Sequence, residues 1–298
     1  MTTQDSDKLR TPPAFYRSRV GAFNVIALHD GTVSRERAPG FIRNAPPEDV
    51  EEAFAQLGIA PGQLTLTFST LAVETPVQLA LIDTGFGENG GPTTGHLKDN
   101  LAAAGYSPAD VGTVLVSHFH TDHISGLVTK DDKPAFPNAT IMVARPEWDY
   151  WMNDATMEAA AAGLQPTFKL CRRVFGSLKE RIQVFDWGDT VMPGITAMRA
   201  AGHTPGQTAF DIRSGSERLL YVADITNNPL VFARRPGWQP AFDIDPDEAV
   251  RTRRKILSEA ADQKTRLFFF HAPFPGLGFV AREGEGFAYI PQIWSREA

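Results

Sequence analysis

The segment Ser117-His118-Phe119-His120-Thr121-Asp122-His123 places three imidazoles and a carboxylate side by side, directly after an apolar run typical of a buried strand. The chain has only 7 His in 298 residues, so three in one short segment is a marked concentration. Alternate side chains of a strand share a face, so His118 and His120 can point the same way, and the following turn brings Asp122 and His123 to a second position. Imidazole and carboxylate are ligands that zinc and similar divalent ions accept. The segment therefore predicts a site that can hold two metal ions.

Other motifs extend this pattern along the chain. Asp83-Thr84-Gly85 closes an upstream strand, Gly202-His203-Thr204-Pro205-Gly206 lies downstream, and Asp224 and His271 each follow an apolar run. Together with the H-x-H-x-D-H segment, these motifs resemble those of the metallo-β-lactamase-fold hydrolases over about residues 20–292.

Two further stretches are similar to one branch of that superfamily. The loop Gly91-Pro92-Thr93-Thr94-Gly95 and the ending His271-Ala272-Pro273-Phe274-Pro275-Gly276 resemble the branch that contains methyl parathion hydrolase and the N-acyl homoserine lactone lactonases. The alternation of strand and helix patterns alone predicts an α/β protein. The resemblance implies a more specific fold, a four-layer αβ/βα sandwich.

The resemblance also implies a ligand set for two ions. The first ion would be held by His118, His120 and His203, the second by Asp122, His123 and His271, and both by Asp224 as a bridge. Taken singly, His203 could be a turn residue, Asp224 a helix cap or Asx turn, and His271 a core residue. Zinc is the expected metal, and manganese, iron and cobalt accept the same ligands.

A hydrolytic mechanism follows from such a pair of ions. A water that bridges two cations loses its proton near neutral pH and supplies hydroxide, so no protein nucleophile is needed. Asp122 and Asp224 are the candidate catalytic residues. We expect Asp83 to accept the second N–H of a ligand imidazole, as carboxylates behind metal-bound His usually do, although Thr84-Gly85 equally suits a structural turn.

Composition restricts the partners. With 29 Lys and Arg against 35 Asp and Glu, the net charge is −6, and no basic cluster of the kind that binds nucleic acid is present.

Cys171 is the only Cys, so it forms no intramolecular disulfide and is expected to be a packed or surface thiol. The start of the chain lacks an apolar leader core, and no run of about 18 apolar residues occurs, which predicts a cytoplasmic protein without membrane contact. The resemblance to the metallo-β-lactamase-fold hydrolases, which are often dimers, implies a homodimer.

The pattern of residues predicts one domain over residues 20–298 after an N-terminal extension of residues 1–19. We expect a first strand at 22–30, a helix at 46–57, strands at 63–74 and 77–83, a helix at 95–104, strands at 113–117 and 139–144, helices within 146–181, two strands before His203, a helix from Asp245 to Asp262 and a final strand at 267–270.

Aromatic residues near the motifs suggest an apolar substrate pocket. We expect Phe86, Phe119, Trp151 and Phe274 to line it, with core packing as the alternative for each.

The leading hypothesis is a hydrolase that opens a small lactone, with quorum quenching as its role, or cleaves an aryl ester or a phosphotriester. A thioester hydrolase of the glyoxalase II type is an alternative, but its usual basic carboxyl terminus is reduced here to Arg296. A β-lactamase, a diiron redox protein and a metal-containing signal-binding protein with little turnover are further alternatives.

Overall fold

The structure is a computed structural model that describes residues 13–294, and two seven-stranded β-sheets form its centre. The first sheet contains β1 (Phe15–Val20), β2 (Phe23–Glu36), β3 (Gln63–Glu74), β4 (Leu79–Ile82), β5 (Val111–Leu115), β6 (Thr140–Ala144) and β7 (Ile182–Phe185). The second contains β8 (Thr190–Met192), β9 (Ile195–Arg199), β10 (Thr208–Ser214), β11 (Glu217–Tyr221), β12 (Arg266–Phe268), β13 (Leu277–Glu283) and β14 (Gly286–Pro291). In both sheets, strands that follow one another in the chain are neighbours.

The helices lie between these strands in the chain. They are α1 (Pro47–Ala55), α2 (Leu97–Ala103), α3 (Thr121–Ile124), α4 (Arg145–Trp151), α5 (Asp154–Ala159), α6 (Gln165–Gly176), α7 (Pro229–Phe232) and α8 (Pro246–Gln263). Across residues 13–294, none of the helices combines the length and the apolar character that crossing a bilayer requires.

Alternation along β4 shows how the first sheet is covered on both faces. Ala80 and Ile82 belong to the core between the two sheets, whereas Leu79 and Leu81 pack in a second core that includes Leu101 of α2 and residues of α6. A strand with apolar neighbours on both sides needs a nearly continuous apolar sequence, which is what this segment has.

The second sheet repeats this arrangement at β11. Leu219 and Tyr221 point into the core between the sheets, and Leu220 packs in a third core that includes Leu257 of α8. The layers therefore run helix, sheet, sheet, helix, and the expected four-layer αβ/βα sandwich is confirmed.

The amino-terminal boundary differs from the prediction. β1 precedes the expected first strand and pairs with β2 across a tight turn at Gly21, whose positive φ of 56° suits glycine. Residues 15–19, assigned above to an extension, therefore lie in the sheet. Residues 1–12 of that extension and Arg296 lie outside the described residues.

Two strand predictions on the carboxyl side are corrected. Three strands, β7 to β9, precede His203 where two were expected, because two short turns divide the segment. β12 is not the final strand, since β13 and β14 extend the sheet beyond it. The predicted helix start at Asp245 is confirmed: its side chain accepts the Glu248 N–H at 2.9 Å, as an N-cap should.

Cys171 is a packed thiol, one of the two expected settings. It is fully buried in α6, and its Sγ donates to the Phe119 carbonyl at 3.7 Å. Burial raises the pKa of this thiol well above its usual value, so it stays protonated and unreactive.

Candidate metal centre

The candidate site lies where several strands end at one edge of the sandwich. β4 and β5 run parallel, and Asp83 and the segment that begins at Ser117 follow their carboxyl ends. Asp224 follows β11 and His271 follows β12, which are also parallel to each other. His203 lies in the loop between β9 and β10. The carboxyl ends of parallel strands meet at one edge, so residues distant in sequence converge there.

The first group of candidate ligands consists of three imidazoles. One nitrogen from each of His118, His120 and His203 lies within 4.8 Å of the others. His120 Nδ1 is 3.1 Å from His118 Nε2 and 2.9 Å from His203 Nε2. Burial, together with the neighbouring His203, lowers the pKa of His120 to about 3, and burial lowers the pKa of His118 well below its usual value. The rings of His118 and His120 are therefore kept neutral, the form in which imidazole binds a metal.

The second group adds two carboxylates to two imidazoles. Ligand atoms of Asp122, His123, Asp224 and His271 also lie within 4.8 Å of one another. Asp224 Oδ2 is 2.9 Å from His271 Nε2 and 3.4 Å from His203 Nε2, so this carboxylate reaches both groups. The structure thus brings all seven predicted ligands together, with Asp224 between the groups.

The carboxylates of the second group favour positive charge beside them, whether carried by a proton on His271 or by a metal ion. Burial would raise the pKa of Asp224, but His271 and His123 hold it well below its usual value. Burial would likewise lower the pKa of His271, but Asp224 and Asp122 raise it to about 10. His123 Nε2 and Asp224 Oδ1 are buried, 3.3 Å apart, and have no hydrogen-bond partner. A divalent ion would satisfy both atoms, so the donor set fits two metal ions.

Asp83 lies directly behind the second group, as the sequence suggested. Its carboxylate is fully buried and accepts hydrogen bonds from His123 Nδ1 at 2.7 Å, from Tyr221 Oη at 2.6 Å and from the Ser117 Oγ at 2.6 Å. His271 is fixed in the same way by the Thr67 carbonyl, 2.9 Å from its Nδ1. Both imidazoles therefore turn Nε2 towards the site.

Two residues behind His203 were missed by the sequence analysis. Asp243 accepts from His203 Nδ1 at 2.9 Å, and its other oxygen accepts from Arg253 Nη2 at 3.2 Å. Both side chains are about 1% exposed. No motif connects Asp243 to His203, because they meet only when the loop before α8 folds back over the site.

A cavity of about 420 Å³ opens above the two ligand groups. Its floor carries His120, Asp122, His203, Asp224 and His271, and its walls are mainly apolar. The wall residues are Val33, Arg35, Leu66, Phe68, Phe86, Thr121, Leu164, Thr167, Asn227, Ala241 and Phe242. This volume and composition are typical of a small-molecule site.

Of the four aromatic residues expected to line the pocket, only Phe86 does so. Phe119 is fully buried and packs against Phe175 with ring centroids 4.2 Å apart, because it points away from the face shared by its neighbouring His residues. Trp151 is also fully buried, and its Nε1 donates to Glu147 at 2.8 Å. Phe274 lies outside the cavity lining and packs edge-to-face with His29, with ring centroids 5.6 Å apart. These three pocket assignments are therefore corrected.

With this geometry, sequence comparison decides the family. The profile described as the metallo-beta-lactamase superfamily matches residues 65–271. The chain belongs to the metallo-β-lactamase superfamily. The resemblance that the motifs suggested is confirmed.

Curated relatives of this metallo-β-lactamase-fold chain include lactonases. The N-acyl homoserine lactonase AiiA of Bacillus thuringiensis subsp. kurstaki is 27% identical over 174 residues, which are 57% of this chain and 60% of that protein. The N-acyl homoserine lactonase AttM of Rhizobium radiobacter is 44% identical over 186 residues, which are 59% and 63% of the two chains. The chain thus spans about 60% of the length of the curated relatives it matches.

Solved structures match over nearly the whole chain. AidC, described as a dizinc quorum-quenching lactonase with a bound product, is 30% identical, with a TM-score of 0.89 over 95% of this chain and 99% of AidC. The hydrolase AbOPH is 28% identical, with a TM-score of 0.89 over 96% and 100% of the two chains. The homodimer and the cytoplasmic location stay predictions.

Proposed function

We propose that this chain is a dinuclear, metal-dependent hydrolase that opens the lactone ring of a small N-acyl homoserine lactone. The observation that carries the proposal is the position of Asp224 between the two ligand groups at the floor of one cavity. Its Oδ2 is 2.9 Å from His271 Nε2 and 3.4 Å from His203 Nε2. The names of the relatives AiiA, AttM and AidC support the substrate class. The reaction would degrade a signalling lactone, which is quorum quenching.

The two ligand groups would hold one divalent ion each, most simply zinc. When bound, two such ions supply a nucleophile from water near neutral pH and polarise the carbonyl under attack. The protein's contribution is to hold the imidazoles and the ionised carboxylates in place before substrate arrives. Asp83, Asp243 and the Thr67 carbonyl do this from behind the site.

Asp122 is the carboxylate best placed for proton transfer. Its side chain is 18% exposed and lines the cavity floor, whereas Asp224 is 3% exposed and lies between imidazoles. A carboxylate oxygen of Asp122 can accept the proton of the attacking water and return it to the ring oxygen that leaves as the lactone opens. Asp224, whose pKa His271 and His123 hold low, would stay ionised and would be a ligand shared by the two groups.

The cavity walls fit an acyl chain. Val33, Leu66, Leu164 and Phe242 offer apolar surface above the floor, which favours burial of a hydrocarbon chain at about 25 cal/mol per Å² of apolar area. Asn227 is buried beside the carboxylates, and its Nδ2 donates to Asp224 Oδ2 at 3.2 Å.

The test is proton release from N-hexanoyl homoserine lactone by metal-reconstituted protein, with an aryl ester, a dialkyl aryl phosphate and a thioester as parallel substrates. We expect lactone opening to be the fastest reaction, and His120→Ala and Asp224→Ala to abolish it while far-ultraviolet circular dichroism stays unchanged. His96→Ala is the matched control, because His96 is an exposed His outside the ligand groups.

Three outcomes would count against the proposal at different levels. Full turnover in His120→Ala would refute the site. Faster cleavage of the phosphate, ester or thioester would refute the lactone as substrate and keep the metal centre. Two bound ions with no hydrolysis of any substrate would support a signal-binding protein instead.

A further inference from the structure

Glu147 is a buried carboxylate that neither the motifs nor the ligand groups include. It lies in the first turn of α4, directly after Pro146, and is 1% exposed. A buried carboxylate costs free energy unless hydrogen bonds compensate it, so its partners show what it does.

The four partners of Glu147 come from two ligand loops and its own helix. Its Oε1 accepts from the Phe119 N–H and from Trp151 Nε1, both at 2.8 Å. Its Oε2 accepts from Thr204 Oγ1 and from the Gly206 N–H, also both at 2.8 Å. Every acceptor position is used by a well-placed donor, so the carboxylate is fixed in one orientation.

These donors lie next to the three imidazoles of the first ligand group. Phe119 stands between His118 and His120, and Thr204 directly follows His203. One side chain thus connects the loop that carries two of the ligands to the loop that carries the third.

Gly206 provides a second, independent sign of this junction. A Cβ at position 206 would lie 2.1 Å from the Glu147 backbone nitrogen and 2.4 Å from its Cα. The His203 loop therefore packs directly on the first turn of α4, and the close approach requires glycine.

The second ligand group is anchored by other contacts. Thr84 donates from its N–H and Oγ1 to the His123 carbonyl at 3.0 and 2.9 Å, and Asp83 holds the His123 ring. His271 is held by the Thr67 carbonyl. None of these contacts involves Glu147.

We propose that Glu147 is a positioning residue that sets the metal affinity of the His118, His120 and His203 group and leaves that of the second group unchanged. This inference rests on the metal-ligand assignment of the proposed function. Replacing a residue that orients metal ligands typically weakens metal binding by about 10–100-fold, and we expect that range here for one ion of the two.

The informative variant is Glu147→Gln, which keeps the size of the side chain. Its amide oxygen can still accept from Phe119 and Trp151, and the Thr204 hydroxyl can rotate to accept from the amide nitrogen. The Gly206 N–H would then face an N–H group, and the His203 loop would lose its anchor. Gly206→Ala disturbs the same junction from the other side, and Asp149→Asn, on the exposed face of α4, is the matched control.

The experiment is a competition titration of the metal-free full chain with Zn²⁺ against a chromogenic chelator, which resolves two affinities without any substrate. Co²⁺ absorption spectra of the same variants report the geometry of each site. We expect wild type and Asp149→Asn to bind two ions tightly. Glu147→Gln and Gly206→Ala should bind one ion as wild type does and the other about 10–100-fold more weakly, with an altered Co²⁺ spectrum for that site.

The outcomes separate this inference from the proposed function. Wild-type protein that binds fewer than two ions would overturn both. Two ions in wild type with unchanged affinities in Glu147→Gln would overturn the inference alone. A lower unfolding midpoint of metal-free Glu147→Gln, with both affinities weakened equally, would show a merely structural role and also overturn it. If Glu147→Gln does not fold, the same test is applied to the two Zn²⁺ affinities of Gly206→Ala.

Discussion

Replacing Arg253 by Met should destabilise the protein far more than the same change at its neighbour Arg254. The Arg253 guanidinium is buried and donates to the carbonyls of Ile225, Pro236 and Trp238 at 2.5, 3.0 and 2.7 Å. It also donates to Asp243 at 3.2 Å. One side chain therefore ties the loop after Asp224 and the loop that covers His203 to α8.

The size of the effect follows from what the substitution leaves behind. Removing one partner of a buried ion pair typically costs about 3–5 kcal/mol, because the remaining charge loses its compensation. The three carbonyls also lose their donor, and each would cost about 1–3 kcal/mol unless water reaches it. The ion-pair contribution alone sets a minimum expected loss of about 3–5 kcal/mol, which is a large part of the roughly 5–15 kcal/mol that stabilises a typical protein.

The assay is urea unfolding of metal-free protein, so that metal binding does not contribute to the measured stability. Arg254→Met is the control, because Arg254 is exposed on the same helix and should change stability by about 0.5 kcal/mol or less. Arg253→Lys should fall between the two, since an ammonium cannot reach all four acceptors. A loss below about 1 kcal/mol for Arg253→Met would refute the reasoning.

Three further predictions concern the core, the cavity and the metal. Phe119→Ala should cost about 3–5 kcal/mol in urea unfolding, and a change in KM without loss of stability would contradict its place in the core. Phe242→Ala should raise KM for decanoyl homoserine lactone more than for butanoyl homoserine lactone in initial-rate assays, because the change removes part of the apolar cavity wall. An equal effect on both substrates would mean that the acyl chain does not bind against Phe242. Removal of metal with a chelator should lower the thermal unfolding midpoint, since an ion at 100 times its Kd contributes about 2.7 kcal/mol of stability, and added Zn²⁺ should restore the midpoint. A midpoint that does not change with chelator would argue against bound ions.

The predicted ligands are found together because their signals are local in sequence. Four of the ligands, His118, His120, Asp122 and His123, lie in one segment of the sequence. Each of the other ligands follows an apolar run or lies in a Gly-rich turn. An apolar strand that ends in a metal-binding residue can be recognised in the sequence without knowledge of the fold. The partner strands need only bring those ends to one edge.

The errors have equally physical causes. Phe119 lies beyond the end of β5, between two His that both turn towards the site, and its own side chain turns the other way into the core. Its closeness to the motif in sequence was therefore a poor guide to the pocket. β1 was missed because Arg17, Ser18 and Arg19 interrupt its apolar residues, although Gly21 marks the tight turn that joins it to β2. Glu147, Asp243 and Arg253 carry no spacing signal, because each meets its ligand loop only through tertiary folding.

The two ligand groups are supported by different layers of the fold. Helices contribute to the first group, through Glu147 of α4 and through Arg253 of α8, which acts on His203 by way of Asp243. The first group also has a link to Asp83, because the Ser117 Oγ lies 3.1 Å from His118 Nδ1 and donates to that carboxylate. Sheets hold the second, since Asp83 at the end of β4 bonds both His123 and Tyr221, which comes from the opposite sheet. Asp224 touches both groups and so joins the two systems. Changes in helix packing should therefore affect the first group more than the second, whereas changes in the packing of sheet on sheet should affect the second group and, through Ser117, His118 as well.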